Sequence, residues 1–285
     1  MDGFARHIAA CNNATLPGQR IPFRIGPAQV GWVSPEAARA LTFRPGDFHF
    51  DAGGIALAGR HRAAGQRSAA LAGAARALAE GGFCRLRGEA FDVAAAWDAA
   101  PLATLDRGAV PVFGVIGQGI HLNGVVRRAD GPWLWMAVRA ADKPVAPGLY
   151  DNLVAGGMPA GLDARTTLLK EGEEEAGLPP ALLLGAHEAE RIAYTLDAPE
   201  GLRRDLLHVF DLELPEDVIP RPVDGEVERF ELVPAQRVLE IVRDTDSVKF
   251  NVNLVLIGWA IREGLLAGAE AAALARGLRG WLDAG

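Results

Sequence analysis

The chain has 285 residues, 49% of them hydrophobic and 23% charged, with a formal net charge of -7 and a pI of about 5.4. That length and apolar content are enough for one large or two modest domains with a sizeable core, and they exclude disorder as the default. The acidic balance argues against a surface for long nucleic acid and leaves room only for a local pocket that takes a small anionic ligand.

The opening segment MDGFARHIAACNNATLPGQR has short apolar runs broken by charge, so it lacks the core of a signal peptide. No window approaches the ~20 apolar residues of a membrane span. Cys11 and Cys84 stand far apart with no C-x-x-C pair, which fits a reducing compartment. A cytoplasmic soluble protein without a membrane partner is expected. IPFRIGPAQVGWV (21–33) alternates enough for one or two strands, and SPEAARAL (34–41) opens a helix with Ser34 as N-cap and Pro35 at the first helical position. RSAALAGAARALAEGG (67–82) reads as a helix ended by Gly81 and Gly82. A small α+β domain is expected over 1–108. Its residues carry no legible chemistry, and its expected roles are to shape a pocket or an oligomer interface, for instance in a homodimer.

A second domain is expected over 109–285. VFGVIGQGIHLNGVVRR and PWLWMAVRA read as strands separated by a turn at Asp130-Gly131-Pro132. A glycine-rich loop around Gly156, Gly157 and Gly161 then leads into a helix beginning near Asp163. Strands follow at 188–196, 205–214 and 227–234, and helices at 234–244, 249–266 and 269–284 close the chain. His121 in its apolar strand reads as a satisfied core histidine, and Trp133 and Trp135, on one side of their strand, as core.

The helix after Asp163 packs Glu171, Glu173, Glu174 and Glu175 into five positions just before Gly177. At 3.6 residues per turn Glu171, Glu174 and Glu175 fall on one face, while Leu169, Gly172 and Ala176 lie roughly opposite and Glu173 points away. A charge run of this kind is ordinarily a solvated helix face. Here the placement is costly: like charges at i, i+4 oppose the helix by roughly 0.2 to 0.5 kcal/mol, and carboxylates in a last turn oppose the macrodipole by roughly 0.3 to 1 kcal/mol. A divalent cation would reverse both penalties, and all-oxygen ligands suit Mg²⁺ or Mn²⁺.

These residues resemble the Nudix box, G-x5-E-x7-R-E-U-x-E-E-x-G-U with U a bulky aliphatic residue, laid from Gly156 to Leu178. Glu171, Glu174, Glu175, Gly177 and Leu178 fall on its later fixed positions. Three positions depart: Leu162 stands where the box has Glu, Lys170 where it has Arg, and Gly172 where it has the bulky aliphatic residue. GIHLNGVVRR, the segment from PWLWMAVRA to GGMPAG, and KFNVNLVLIGWAIREG resemble the Nudix branch related to the front half of fungal thiamine pyrophosphokinases, whose members carry an extra N-terminal domain. The resemblance implies an α/β/α sandwich with a mixed sheet, preceded by the small α+β domain and followed by C-terminal helices. It also implies metal-dependent hydrolysis of thiamine diphosphate, or its oxidised forms, to a monophosphate and phosphate.

On that reading Glu171, Glu174 and Glu175 are the metal ligands and catalytic carboxylates, and Lys170 is expected to satisfy Glu171 as a point charge. Arg139 and Lys143 follow a strand and precede the glycine loop, so they are candidates for the substrate phosphates, against the simpler role of solvated surface. Gly156 and Gly157 are expected to let a loop approach the helix or the substrate closely. Glu226 and Glu228 lie where such proteins often place a further acid facing the box. The alternatives are a Nudix hydrolase of dinucleotides or nucleotide sugars, an isomerase suggested by the R-x3-K-x3-PG pattern from Arg139 to Gly148, and a binding module without catalysis. Neither cysteine lies near the box, which disfavours the isomerase.

Overall fold

Three apolar clusters organise the chain in the computed structural model, which describes residues 3–142 and 145–283. The first is built from a four-stranded sheet of β1 (Ile21–Ile25), β2 (Ala28–Val33), β3 (Phe48–Asp51) and β4 (Gly54–Leu57), in the order β2-β1-β4-β3. Helices α2 (Pro35–Leu41) and α3 (Ala64–Glu80) bury their Ala and Leu faces against it. The Ser34 hydroxyl accepts from Ala37 N–H at 3.2 Å, so the expected cap forms. A two-stranded ribbon, β5 (Ala90–Val93) with β6 (Ala103–Asp106), and the short α4 (Val110–Phe113) complete this part. The first helix, α1 (Ala5–Cys11), belongs elsewhere: Phe4 and Cys11 are buried in the second cluster.

The second part is a seven-stranded mixed sheet. Its path is β11 (His187–Ala198), β12 (Gly201–Glu213), β7 (Ile116–Arg128), β8 (Gly131–Arg139) and β13 (Val227–Pro234). Two short strands, β9 (Tyr150–Asp151) on β8 and β10 (Val154–Gly157) on β7, lie off that path. β12 runs parallel to β7 and the other pairs are antiparallel. The period-2 alternation of side chains sends Val125, Leu134, Met136, Ile192 and Leu207 to one face, where α7 (Ala235–Asp244), α8 (Val252–Arg262) and α9 (Gly268–Arg279) cover them. Ile120, Leu122, Val126, Trp135 and Phe210 point to the other face, under α5 (Ala164–Ala176) and α6 (Pro180–Leu183). The result is an α/β/α sandwich with an α+β part before it. Among the described residues no helix is long and apolar enough to cross a membrane.

Candidate active site

Helix α5 is fixed at both ends by local chemistry. The Asp163 carboxylate accepts from Thr166 N–H at 2.7 Å, and those Thr166 bonds hold it below the ordinary carboxylate range. At the other end Gly177 takes φ 62°, while Gly177 N–H and Leu178 N–H close on the carbonyls of Glu173 and Gly172. Of the three glycines expected in a loop, Gly161 lies in the turn before α5, whereas Gly156 and Gly157 are in β10, paired with Ile120 and Gly119. They allow close approach on two sides. A Cβ at Gly156 would lie 2.6 Å from Glu171 Cγ, and one at Gly157 would lie 2.6 Å from Phe91 Cζ and 3.2 Å from Arg107 Cζ.

The three glutamates do not share one solvated face. Glu175 is only 7% exposed, packed with Gly172 and Ala176 beneath the edge of β10. Its Oε2 accepts from Ala155 N–H at 3.1 Å, its single hydrogen bond among the described residues. Burial raises its pKa well above the ordinary value, and the charges of Asp151, Glu171 and Glu226 push in the same direction. Glu171 is held above its ordinary value by burial, offset in part by Lys170. Glu174 is outermost, with 53% of its side chain exposed, and Glu173 is exposed. The helical wheel puts the three on one face and misses that the inner edge of the acidic stripe is buried. The cause is the bare backbone at Gly156, which lets α5 settle close enough to cover Glu175.

Lys170 does more than satisfy Glu171. Its Nζ donates to Glu171 Oε1 at 3.0 Å and Glu174 Oε2 at 2.8 Å, so an ammonium lies between two of the carboxylates, and these bonds raise its own pKa. Among the described residues no three acidic, imidazole or thiol side chains are grouped to hold a metal ion in this arrangement. The donor set nevertheless suits a hard cation. A buried carboxylate with one hydrogen bond, in the field of three further acids, is stabilised by nothing as well as by positive charge at its open oxygen.

Other expected residues are placed differently. Glu226 lies within the electrostatic reach of Glu175. Glu228 stands at a bulge between Val227 and Arg229 and is half exposed, paired with Arg229 at 2.8 Å. Arg139 is mostly buried, with Nη1 2.7 Å from Asp151 Oδ2 and Nε donating to the Val145 carbonyl, so it is not a solvated cation awaiting phosphate. Lys143 lies outside the described residues. His121 is a satisfied core histidine: burial, then Lys249, pushes its pKa down to about 4, and its Nδ1 meets Asn152 Oδ1 at 2.8 Å.

Two groups near the site escaped the sequence reading. Asp151, 3% exposed, accepts from both Arg139 and Lys249 and sits in the field of Glu175. Glu89, Phe91 and Arg107 come from the N-terminal part: Glu89 pairs with Arg107 at 2.9 Å and adds its field to Glu171. Nothing local marks them, because their partners lie far along the chain.

Gly172 also has a structural explanation. A Cβ there would lie 2.6 Å from Leu183 Cδ1, so a leucine of α6 fills the space the Nudix pattern gives to an aliphatic residue at this position. Restoring that residue with Gly172→Leu is expected to cost about 1 to 3 kcal/mol of stability by overpacking. Combined with Leu183→Ala, it should cost less than the sum of the two single changes. Urea unfolding of all three variants checks this, and a neutral Gly172→Leu beside an intact Leu183 would contradict it.

A seven-stranded mixed sheet between helical layers, with a glutamate helix against a glycine strand, forms a NUDIX domain, and that family matches residues 119–251. Residues 3–117 match a domain of unknown function, DUF4743. Two Arabidopsis thaliana proteins, Nudix hydrolase 20, chloroplastic, and Nudix hydrolase 24, chloroplastic, are each 33% identical, over 277 and 270 residues. Each match covers 93% of this chain and 74% of the relative. The chain belongs to the Nudix hydrolase family and is an enzyme, a hydrolase of diphosphate-linked compounds. Among solved structures, the NUDIX domain of Shewanella oneidensis NrtR complexed with ADP ribose is 12% identical, with a TM-score of 0.41 over 54% of this chain and 91% of that one.

Proposed function

We propose that this enzyme cleaves the diphosphate of a small organic pyrophosphate, thiamine diphosphate or its oxidised forms, to a monophosphate and phosphate. Glu171, Glu174 and Glu175 would hold the Mg²⁺ or Mn²⁺ ion. The observation that carries the hydrolytic site is Glu175: a buried carboxylate, raised in pKa, beside Asp151, Glu171 and Glu226 at a glycine strand. The choice of thiamine diphosphate rests on the resemblance of the segments around GIHLNGVVRR and KFNVNLVLIGWAIREG to the thiamine-related branch.

A bound divalent cation supplies neutralisation of the diphosphate oxygens as charge builds on the leaving phosphate. The chain's own residues do the rest. The missing side chain of Gly156 lets Glu171 lie against the β10 backbone, and that of Gly157 admits Phe91 and Arg107 from the N-terminal part. A carboxylate of Glu171 or Glu175 that does not hold the cation would take the proton of the attacking water. Lys170 holds Glu171 and Glu174 in place through its two hydrogen bonds.

Dinucleotides and nucleotide sugars form the second reading, within the same family. The isomerase reading has no support at the site. Cys11 is buried, its thiol pushed up to about 12 by burial, and Cys84 packs at the first core with its thiol also raised by burial. Phosphate release is the test, from thiamine diphosphate, its oxidised derivatives, dinucleotides and nucleotide sugars, each with and without Mg²⁺. The expected result is Mg²⁺-dependent release, fastest from the thiamine compounds. Faster turnover of a dinucleotide or nucleotide sugar would replace the first reading with the second.

A further inference from the structure

A cavity of about 390 Å³ lies between the N-terminal part and the start of α5. One wall is the segment after β5, with Ala96, Trp97 and Asp98, and the other is Ile116 and Gln118 of β7, Met158 after β10, and Leu162 to Ala164. Two turns of α5 separate Asp163 from Glu171, a distance of about 12 Å along the helix axis. Met158 is about 7 Å along the strand from Gly156. The cavity therefore adjoins the glutamates along both elements that build them.

Its walls are held in a set geometry. Gln118 Nε2 donates to the Trp97 carbonyl at 2.9 Å, and the Arg191 guanidinium is stacked 4.6 Å from the Trp97 ring centroid. Asp92 accepts from Gly161 N–H at 3.0 Å, which ties the N-terminal part to the loop before α5. His208 bonds Glu188 at 3.0 Å and Gln118 at 2.9 Å, so a proton on its ring is matched by the Glu188 carboxylate. The charged side chains among the described lining residues are Asp92, Asp98 and Asp163, and no Lys or Arg joins them. A phosphate finds no unpaired counter-charge here, since Arg191 behind Trp97 is already paired with Glu188 at 2.6 Å and Asp163 caps the start of α5. Trp97, Leu162, Met158 and Ile116 provide aromatic and apolar surface.

We propose that this cavity between the two domains binds the organic head of the substrate, and that it selects an aromatic cation through Trp97 and the carboxylates of Asp92 and Asp98. The proposal rests on the hydrolase reading above and assigns the non-phosphate end of the molecule. Leu162 acquires a role: where the Nudix pattern offers a carboxylate, this chain offers an apolar wall for a ring. A second phosphate or a ribose phosphate in the same place would meet three carboxylates, which disfavours dinucleotides.

Calorimetric titration of the full chain with thiamine, 1-methylnicotinamide and the neutral nicotinamide, none carrying phosphate, tests this. Both cations should bind, 1-methylnicotinamide roughly tenfold tighter than nicotinamide, and Trp97→Ala should weaken the cations roughly tenfold. Asp98→Asn, at an exposed side chain with no hydrogen bond among the described residues, should weaken them roughly threefold without disturbing the fold. Equal binding of nicotinamide, no binding of either cation, or unchanged affinity in both variants overturns the proposal. The two readings fail separately. Thiamine bound through Trp97 without hydrolysis of thiamine diphosphate would sink the function and keep the pocket. Hydrolysis with a KM indifferent to Trp97→Ala and Asp98→Asn would do the reverse.

Discussion

Glu175→Gln is expected to lower turnover by about a thousandfold or more, the scale seen when an enzyme loses a principal source of transition-state charge stabilisation. The same variant should fold and, without metal, melt above the wild type. Burial raises the Glu175 pKa, so the folded chain retains a proton that the unfolded chain releases. Between the ordinary carboxylate pKa and the raised one, metal-free stability therefore falls as pH rises, and above that window the loss is complete. Glutamine keeps an oxygen for Ala155 N–H and removes the charge, so above the window Tm should rise by about 2 to 4 °C. Thermal melts in chelator below and above the window, paired with turnover in Mg²⁺, check both halves. Wild-type turnover, or a variant that melts lower at high pH, contradicts the assignment.

Asp151→Ala should carry the largest cost in stability, about 3 to 5 kcal/mol, because it leaves two buried cations without their shared partner. Arg139 and Lys249 approach Asp151 Oδ2 at 2.7 and 2.9 Å, and both side chains are 13% exposed. Burial alone would raise the Asp151 pKa, and the charges of Lys249, His121 and Arg139 outweigh it, so the net shift is downward. The stability this group contributes is thus present above the ordinary carboxylate pKa and lost as pH falls through its folded value. Denaturant unfolding near neutral pH measures the cost, and a loss below about 1 kcal/mol would show that the cluster is not an ion-pair core.

Local chemistry is what the sequence made legible. Ser34, Asp163 and Gly177 act within a few residues of themselves, and each lies where its type and neighbours indicated. The strands of the mixed sheet and the closing helices follow from periodicity in the same way. What escaped depends on partners far along the chain. Gly156 and Gly157 look like a loop until Gly119 and Ile120 pair with them. Glu175 looks like a surface carboxylate until the bare β10 backbone lets α5 cover it. Arg139 looks like a phosphate ligand until Asp151 and the Val145 carbonyl take its nitrogens. Gly172 looks like a defect until Leu183 arrives from α6. In the N-terminal part neither Trp97 nor Arg107 stood out, since each acquires meaning only from the second domain against which it packs.

The central claim is that carboxylates on α5 hold a divalent cation without which the diphosphate is not cleaved. Turnover of the fastest diphosphate from the substrate panel, followed in excess chelator and then through a Mg²⁺ titration, tests it most directly. The account predicts no release in chelator, saturable recovery with Mg²⁺, and no recovery in Glu175→Gln. Undiminished release in chelator would contradict it.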